Sequence, residues 1–483
     1  MRYHSTRDKN STVSAAQAVL YGLAADGGLY ISDDFADFAW QKVLRLDTLG
    51  MAKAILSFLL PDVDGMDALV DRAYRGKFET DDLTPLVSVG DKYVLELFRG
   101  PTSAFKDVAL SMLPQLITAA RAQTGLTDEI LILTATSGDT GKAALAGFRD
   151  VPGTRIIVFY PADGVSAVQK AQMVTQSGEN VCVCAVRGNF DDTQTGVKEI
   201  FAAGSPEGSG VRLSSANSIN IGRLAPQVVY YFKAYADLIR LGRIREGEAV
   251  DFVVPTGNFG DILAGYLAKL MGLPVGKLVC ASNRNDVLTD FLRTGTYDRR
   301  RPFHRTLSPS MDILVSSNLE RLLYLLTKDP EQVAQWMRQL KAEGHYTVSS
   351  EVLAALHRDF SCGCCGDVET KAAIGRVWRE HGYLMDTHTA VAWRVAEEYR
   401  SEAPTVVLST ASPYKFPAAV LSSLGEAVEA DEFAVMRRLH ELTGVPIPKH
   451  LAQLQDLPVR HTDVIGRDEM ARYVLGKIKA WWK

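Results

Sequence analysis

The chain has 483 residues, of which 47% are hydrophobic and 23% are charged, proportions close to those of ordinary globular proteins. Its formal net charge of −4 lacks the excess of Lys and Arg that nucleic-acid binding requires, so we expect no nucleic-acid partner. The length exceeds what one hydrophobic core normally organises and predicts two or three domains.

The start of the chain and its cysteines indicate a cytoplasmic protein. Residues 1–8 contain no apolar signal region, and no stretch of about 18 apolar residues occurs, so we expect no membrane segment. The cysteine-rich run at residues 362–365 lacks the spaced pairs of a zinc site. We interpret these cysteines as reduced thiols and expect no metal, although this spacing leaves metal binding open as an alternative.

Short β-rich runs alternate with amphipathic stretches from about residue 128 onward. Strands are predicted at residues 130–135, 155–160, 180–186, 249–255, 277–281 and 405–409. Helices are predicted at residues 143–148, 166–177, 191–203 and 261–271, with mainly helical regions at 319–400 and 430–483. Strands separated by helices of this length indicate parallel sheets with right-handed crossovers, and hence an α/β fold.

The first segment with chemical potential contains Lys106. A Pro-Thr-Ser turn at residues 101–103 leads into a helical stretch at residues 108–113, with Lys106 near its start. The positive end of a helix dipole disfavours an ammonium group and lowers its pKa. A neutral lysine amine can attack an aldehyde. Taken alone, however, the segment is better interpreted as an ordinary solvated lysine.

Two turns that follow predicted strands can bind an anion. Residues 136–141 read Thr-Ser-Gly-Asp-Thr-Gly, and residues 255–261 read Pro-Thr-Gly-Asn-Phe-Gly-Asp. Backbone N–H groups at such turns, beside helix N-termini, bind phosphate. Helix capping by Ser137, Asp139 or Thr140 explains the first turn equally well, and glycine is common in turns like the second. Thr410, directly after the last predicted strand, reads on its own as part of a loop.

These segments, in this order, resemble the tryptophan-synthase-β-like class of pyridoxal 5′-phosphate (PLP) enzymes, known as fold type II. Within that class the chain is similar to the longer bacterial and fungal type of the threonine synthase family. The resemblance also includes residues 3–7, 18–30, 217–223 and 386–391, so it covers nearly the whole chain. It implies an α/β fold in which parallel or mixed twisted sheets are flanked by helices.

The resemblance also implies a domain organisation. An N-terminal helical domain is expected at residues 1–95, and a larger PLP-binding domain at residues 96–109 and 226–483. A smaller, mobile α/β domain is expected at residues 110–225. We expect a monomer or a homodimer.

The implied activity is that of a PLP-dependent carbon–oxygen lyase. It would convert O-phospho-L-homoserine and water to L-threonine and phosphate, by γ-elimination and then water addition at Cβ, as the last step of threonine biosynthesis. One alternative is another fold type II lyase, such as a threonine or serine dehydratase or an amine phospho-lyase. A second is a nucleotide-binding α/β protein without PLP. Residues 217–223, which resemble a phosphate-binding segment, oppose a dehydratase, and Lys106 has no role in a nucleotide site.

Site residues follow from the resemblance by position. Lys106 is the implied catalytic residue and bonds covalently to the cofactor. The other implied cofactor-binding residues are Asp139, Gly257, Asn258, Phe259, Gly260, Asp261 and Thr410. The implied substrate-binding residues are Thr102, Ser137, Thr140, Asn217, Ser218, Asn220, Arg223 and Lys415. Arg223 presents a planar fork suited to phosphate oxygens, and Thr410 would bond the pyridine nitrogen. Ser412 stands where many relatives have histidine, which puts a proton relay at that position in doubt.

Overall fold

The structure is a computed structural model that describes residues 1–136, 138–163, 165–205 and 208–481. The strands are β1 (Tyr3–Ser5), β2 (Thr12–Val13), β3 (Tyr30–Ile31), β4 (Leu86–Val89), β5 (Lys92–Glu96), β6 (Glu129–Ala135), β7 (Thr154–Pro161), β8 (Val181–Arg187), β9 (Val211–Ser214), β10 (Val250–Pro255), β11 (Val275–Ser282), β12 (Thr296–Asp298), β13 (His345–Thr347), β14 (Phe360–Cys364), β15 (Thr405–Ser409) and β16 (Val464–Gly466).

The helices account for most of the remaining ordered chain. They are α1 (Ala15–Tyr21), α2 (Trp40–Val43), α3 (Thr48–Leu59), α4 (Met66–Tyr74), α5 (Lys106–Gln123), α6 (Asp139–Phe148), α7 (Ala167–Val174), α8 (Phe190–Ala203), α9 (Ile221–Arg240), α10 (Gly260–Leu270), α11 (Val287–Thr294), α12 (Leu319–Thr327), α13 (Pro330–Ala342), α14 (Ser350–Asp359), α15 (Asp367–His381), α16 (Thr387–Glu398), α17 (Pro417–Ser423), α18 (Glu432–Thr443), α19 (Lys449–Ala452) and α20 (Met470–Trp481). Among the described residues, no helix has the length and apolar character needed to cross a membrane.

The larger sheet has six strands in the order β14-β11-β10-β15-β5-β4. All neighbours are parallel except the edge strand β4, which runs antiparallel to β5. The predicted strands at residues 249–255, 277–281 and 405–409 are its centre. The interpretation of residues 319–400 as mainly helical missed β14, which pairs with β11. Its Gly363 lies so close to Val395 that a Cβ would approach the valine side chain to 2.8 Å, which the cysteine-rich sequence does not reveal.

The smaller sheet is entirely parallel, with five strands in the order β16-β8-β7-β6-β9. Its last strand and the following helix come from residues 464–481, which the predicted domain division assigns to the larger domain. They lie on the smaller sheet because β16 pairs with the outer edge of β8. Met470, Val474 and Ile478, spaced along one face of α20, are buried against that sheet.

The N-terminal region packs against helices that flank the two sheets. A buried charged side chain on α12 also forms a hydrogen bond with it. β1, β2 and β3 form a small antiparallel sheet, and α3 and α4 contact α9 and α5. Arg321 on α12 is fully buried, and its guanidinium donates to the carbonyl oxygens of Tyr30 at 3.0 Å and Ile219 at 2.6 Å. The N-terminal region is therefore held against residues that border the cleft described below.

Replacing Gly147 with alanine is expected to lower the free energy of unfolding by about 1–3 kcal/mol, the usual cost of overpacking. Gly147 lets α6 approach α5 closely, and a Cβ would lie 1.9 Å from the carbonyl oxygen of Leu110. Gly476 on α20 has open space around it. Gly476→Ala is therefore the control, and it should be neutral or slightly stabilising because alanine favours helix. Urea denaturation of both variants measures the difference, and equal midpoints would contradict the expectation.

Candidate active site

The carboxyl ends of strands from both sheets bring the predicted segments together. The turn after β15 bonds to the segment before α5, where the Phe105 N–H donates to the Thr410 carbonyl oxygen at 2.8 Å. The turn after β6 meets the same region, because the Lys415 Nζ lies 2.7 Å from the Asp139 Oδ1. In parallel sheets this edge is where ligands bind.

Lys106 is the first residue of α5, as the sequence predicts for a helix start. Its Nζ donates to the Ser310 Oγ at 3.4 Å and lies 5.6 Å from the centre of the Phe105 ring. Burial lowers the pKa of Lys106, and the nearby charges of Lys415 and Arg223 lower it further, although Asp139 opposes them. A lysine with a lowered pKa has a larger neutral fraction and is a better nucleophile and base.

Asp139 is a buried acid with several hydrogen-bond partners in the cleft. Its Oδ1 pairs with the Lys415 ammonium group and accepts a hydrogen bond from the Gln169 Nε2 at 3.1 Å. Its Oδ2 accepts a hydrogen bond from the Ser310 Oγ at 3.5 Å. Burial raises the pKa of Asp139, but the ammonium groups of Lys415 and Lys106 outweigh it, so the pKa lies below its usual value. Asp139 therefore stays ionised and joins the smaller sheet, through Lys415, to the larger one.

The turn at residues 257–260 has the form of an anion cradle. It joins β10 to the N-terminus of α10, with Phe259 in the left-handed region at φ 64°. Within the described part of the chain, the backbone N–H groups of residues 257–260 donate to no protein acceptor. Gly257 packs so closely that a Cβ would lie 2.9 Å from the Ser310 carbonyl oxygen. Free N–H groups at a helix N-terminus are the donors that a phosphate group requires.

Asp261 follows this cradle and differs electrostatically from Asp139. Burial raises the pKa of Asp261 to about 7, although the Ile262 N–H and Lys106 act in the opposite direction. Its carboxyl group is therefore partly protonated at neutral pH. A neutral carboxyl repels a bound phosphate much less than a carboxylate does.

Arg223 lies at the start of α9 and is only 3% exposed. Its Nη1 donates to the Ala216 carbonyl oxygen, while its Nε has no hydrogen-bond partner. Burial lowers the pKa of Arg223 to about 10, and its charge influences Lys106. Asn217 and Ser218 precede it on a more exposed turn, in which the Ser218 N–H donates to the Asn217 Oδ1 at 2.7 Å.

Some predicted substrate residues already have protein partners. The Thr102 hydroxyl donates to the Asp107 Oδ1 at 2.6 Å. The Asn220 side chain caps α9 through the Gly222 N–H and donates to the Val19 carbonyl oxygen, both within the fold. Thr140 lies in the first turn of α6 and is half-buried, whereas Ser137 lies outside the described residues. The structure thus supports Arg223 as a substrate ligand more strongly than Thr102 or Asn220.

A buried arrangement of Asp386, His388 and Ser310 was not predicted from the sequence. The Nδ1 of His388 lies 2.7 Å from the Asp386 Oδ2, and its Nε2 accepts the Ser310 N–H at 3.1 Å. Both side chains are almost fully buried. This places the Ser310 hydroxyl between Lys106 and Asp139. The segment at 386–391 was noted as similar to the family, but nothing local to residue 310, in a short turn at Pro309–Met311, indicates a site.

Three family models match the chain in order. The model described as "Threonine synthase N terminus" matches residues 2–74. The model described as "Pyridoxal-phosphate dependent enzyme" matches residues 84–363. The model described as "Threonine synthase, C-terminal" matches residues 389–474. The second of these contains Lys106 and the turns at residues 136–141 and 257–260.

Whole-chain comparisons agree with the family models. The threonine synthase of Pseudomonas aeruginosa is 39% identical over 95% of this chain and 98% of its own length. The human protein named threonine synthase-like 1 is 39% identical over 85% of this chain, but the match spans 58% of that longer protein. The crystal structure of PLP-bound threonine synthase from Brucella melitensis superposes with a TM-score of 0.89, at 38% identity and with 100% of both chains covered.

Proposed function

Because this chain belongs to the threonine synthase family of PLP-dependent enzymes, we propose that it converts O-phospho-L-homoserine and water to L-threonine and inorganic phosphate. The observation that supports this proposal most strongly is a single cleft that contains three groups suited to the cofactor and the substrate. These are the reactive Lys106, the unpaired N–H groups of residues 257–260, and the buried guanidinium of Arg223.

The residues present fit pyridoxal phosphate. The turn at residues 257–260 offers its free N–H groups to the cofactor phosphate, and Lys106 lies where an amine is needed for a covalent bond. Thr410 is only 5% exposed and directly follows β15, so its hydroxyl would be available to the pyridine nitrogen. When bound, the cofactor supplies an aldehyde for the substrate amine and an electron-withdrawing ring.

Lys106 performs the proton transfers in the proposed reaction. Its lowered pKa increases the fraction of neutral amine, which would accept a proton from Cα, return that proton to the bound cofactor–substrate system, and then be free to accept one from the adjacent Cβ. Ser310 bonds to both Lys106 and Asp139, and it fixes the direction of the amine. His388 on α16 in turn accepts a hydrogen bond from the backbone N–H of Ser310. The position of the Lys106 amine therefore depends on α16 and on the turn that contains Ser310.

Arg223 binds the phosphate that leaves from Cγ. Its guanidinium offsets negative charge that increases as the carbon–oxygen bond breaks, a contribution of about 3 kcal/mol for one well-placed donor. Among the alternative activities, that of a threonine or serine dehydratase involves no substrate phosphate. It would therefore leave the buried Arg223 guanidinium without a function. Membership of the PLP family makes the nucleotide-binding alternative wrong. An amine phospho-lyase differs in its substrate's carbon skeleton, and product analysis separates it.

Replacing Arg223 with glutamine is expected to reduce kcat/KM for O-phosphohomoserine by about 10²–10³-fold, the usual effect of losing one such donor. The visible spectrum of the bound cofactor should remain unchanged, because Arg223 contacts the substrate. The exposed Arg243 lies beyond the far end of the same helix, and Arg243→Gln is the control. Phosphate release, with threonine identified by chromatography, measures turnover. A wild-type holoenzyme that released no phosphate from this substrate would overturn the proposed function itself.

We also propose that the enzyme works in the cytoplasm as a monomer or homodimer. All six cysteines are free thiols, as is usual for proteins of the reducing cytoplasm, and this motivates the first statement. Cell fractionation tests the location, and sedimentation velocity of the purified chain tests the assembly state.

A further inference from the structure

A cavity of about 520 Å³ lies close to the active site but is lined by other residues. Its wall includes one face of α6, where Lys142 and Ala146 are spaced four residues apart, together with Arg149, directly after the end of α6, and Lys77. Residues at this spacing share one side of a helix. The remaining wall comes from α7 and the segment around α19, including Gln172, Gln176 and His450. None of these side chains is used by the proposed reaction.

The side chains that line the cavity carry a net positive charge. Lys77, Lys142 and Arg149 contribute three cations, and no Asp or Glu is among the lining residues of the described chain. The Lys142 Nζ bonds to the neutral Gln176 Oε1 at 2.6 Å. Arg149 does pair with Asp150 at 3.4 Å, but both of those side chains are about half exposed, so solvent weakens the pair.

Burial lowers the pKa of Lys142 to about 8, and Lys415 and Arg149 act in the same direction. Asp107 opposes this shift, but its carboxylate is already bonded to Thr102. Burial also lowers the pKa of His450, to about 4, so its imidazole is neutral at pH 7. An ammonium group held against an amide in a cavity with like charges gains strongly from an anion.

We propose that this cavity is a binding site for a phosphate group, either inorganic phosphate or the phosphate of a small metabolite. Three cations around one volume suit a dianion better than a single carboxylate. The hydroxyl groups of Ser111 and Ser177 also line the cavity and add neutral donors. The cavity is large enough for a small phosphate ester, whose apolar part would lie against Val151 and Leu454.

The proposed phosphate site is separate from the catalytic cleft. The carbonyl group of Thr102 lies between them and contacts both. The Gln172 Nε2 donates to the Thr102 carbonyl oxygen at 3.4 Å, and the Lys415 Nζ donates to the same oxygen at 3.2 Å. His450 adds a second connection, since its Nε2 lies 2.9 Å from the Ser103 Oγ. An anion held by Lys142 would therefore change the field at the Lys415–Asp139 pair.

The test is phosphate binding to the PLP-loaded Arg223→Gln enzyme, in which the proposed substrate phosphate site no longer contributes. Isothermal titration with inorganic phosphate, glycerol phosphate and acetate is expected to show one site per chain for the two phosphates and much weaker binding of acetate. Lys142→Met on this background should weaken phosphate at least ~10-fold, the effect of losing a charged hydrogen bond. Tighter binding of glycerol phosphate than of inorganic phosphate would identify an ester as the ligand.

Two further variants keep the result decisive. Lys170 is exposed on α7 and does not line the cavity, so Lys170→Met should leave the phosphate affinity unchanged. Ala146→Glu places a carboxylate one turn from Lys142, and it should abolish phosphate binding while the protein remains folded by circular dichroism. Absence of phosphate binding in the starting enzyme, or equal affinity in the Lys142→Met and Lys170→Met variants, would overturn the proposal. Neither outcome bears on threonine formation, which is measured separately.

Discussion

Replacing Lys106 with alanine is expected to lower kcat by at least ~10³-fold, because a positioned general base alone contributes about 10²–10⁴-fold and the covalent bond to the cofactor is lost as well. The cradle at residues 257–260 is unaltered, so the variant should still bind pyridoxal phosphate. The visible absorption band of the lysine–cofactor bond should be missing, and borohydride should no longer fix the cofactor to the protein.

The exposed Lys371 on α15 provides the control. Lys371→Ala should retain both turnover and the absorption band. Normal turnover of the Lys106→Ala enzyme would remove the basis for the catalytic assignment. Loss of cofactor binding by that variant, with the fold intact, would instead show that the cradle cannot hold the cofactor without the lysine.

Replacing Lys415 with methionine is expected to lower the free energy of unfolding by about 3–5 kcal/mol, the usual cost of leaving one member of a buried ion pair alone. Lys415 is fully buried and pairs with Asp139 at 2.7 Å. Turnover should also fall, because Asp139 would no longer be held beside Ser310 and Lys106. Urea denaturation and steady-state kinetics measure the two effects.

The pH dependence of this loss follows from the pKa of Asp139. In the wild-type protein that pKa is lowered in the folded state despite burial. The stabilisation is therefore present above the unfolded value of about 3.9 and is lost as the pH falls from there toward the folded pKa. The stability difference between wild type and Lys415→Met should thus be largest near neutral pH and should shrink as the pH falls, because protonation of Asp139 removes the charge that the variant leaves unpaired.

A double variant and a control separate charge burial from catalysis. Adding Asp139→Asn to Lys415→Met removes both charges and should restore much of the stability, but not turnover. Lys233 on α9 is also buried and pairs with Asp237 at 2.5 Å. Lys233→Met should therefore lose stability while the folded enzyme remains active. An additive double variant would mean that Lys415 and Asp139 are not energetically coupled.

Elements with a strong local signal were predicted well from the sequence. The run of β-branched and apolar residues at 405–409 predicted β15 with its observed bounds, and residues 130–135 predicted all of β6 except its first residue. Both strands are largely buried on two sides, so their central residues are apolar. The fold class was confirmed, together with the dependence on PLP and membership of the threonine synthase family.

The site could be predicted only where function resides in a contiguous turn. Lys106 and residues 257–260 belong to such turns, and the structure brings them to one edge of the larger sheet. Ser310 could not be predicted as a site residue from the sequence. Its position beside Lys106 depends on His388, which is distant in sequence and accepts a hydrogen bond from the Ser310 backbone N–H. Asn220 lies within a recognisable segment and its side chain caps α9, while its role in substrate binding stays a prediction. Local sequence does not distinguish a cap from a ligand.

The pairing of β8 with β16 has a consequence for synthesis of the protein on the ribosome. β8 is translated long before β16, and its outer edge therefore has no neighbouring strand while the nascent chain grows. The strand reads Val-Cys-Val-Cys-Ala-Val-Arg and is almost entirely buried in the finished protein. An unpaired apolar edge of this kind pairs readily with strands of other chains. Until residues 464–466 have emerged, we therefore expect the nascent chain to aggregate more readily than the finished protein.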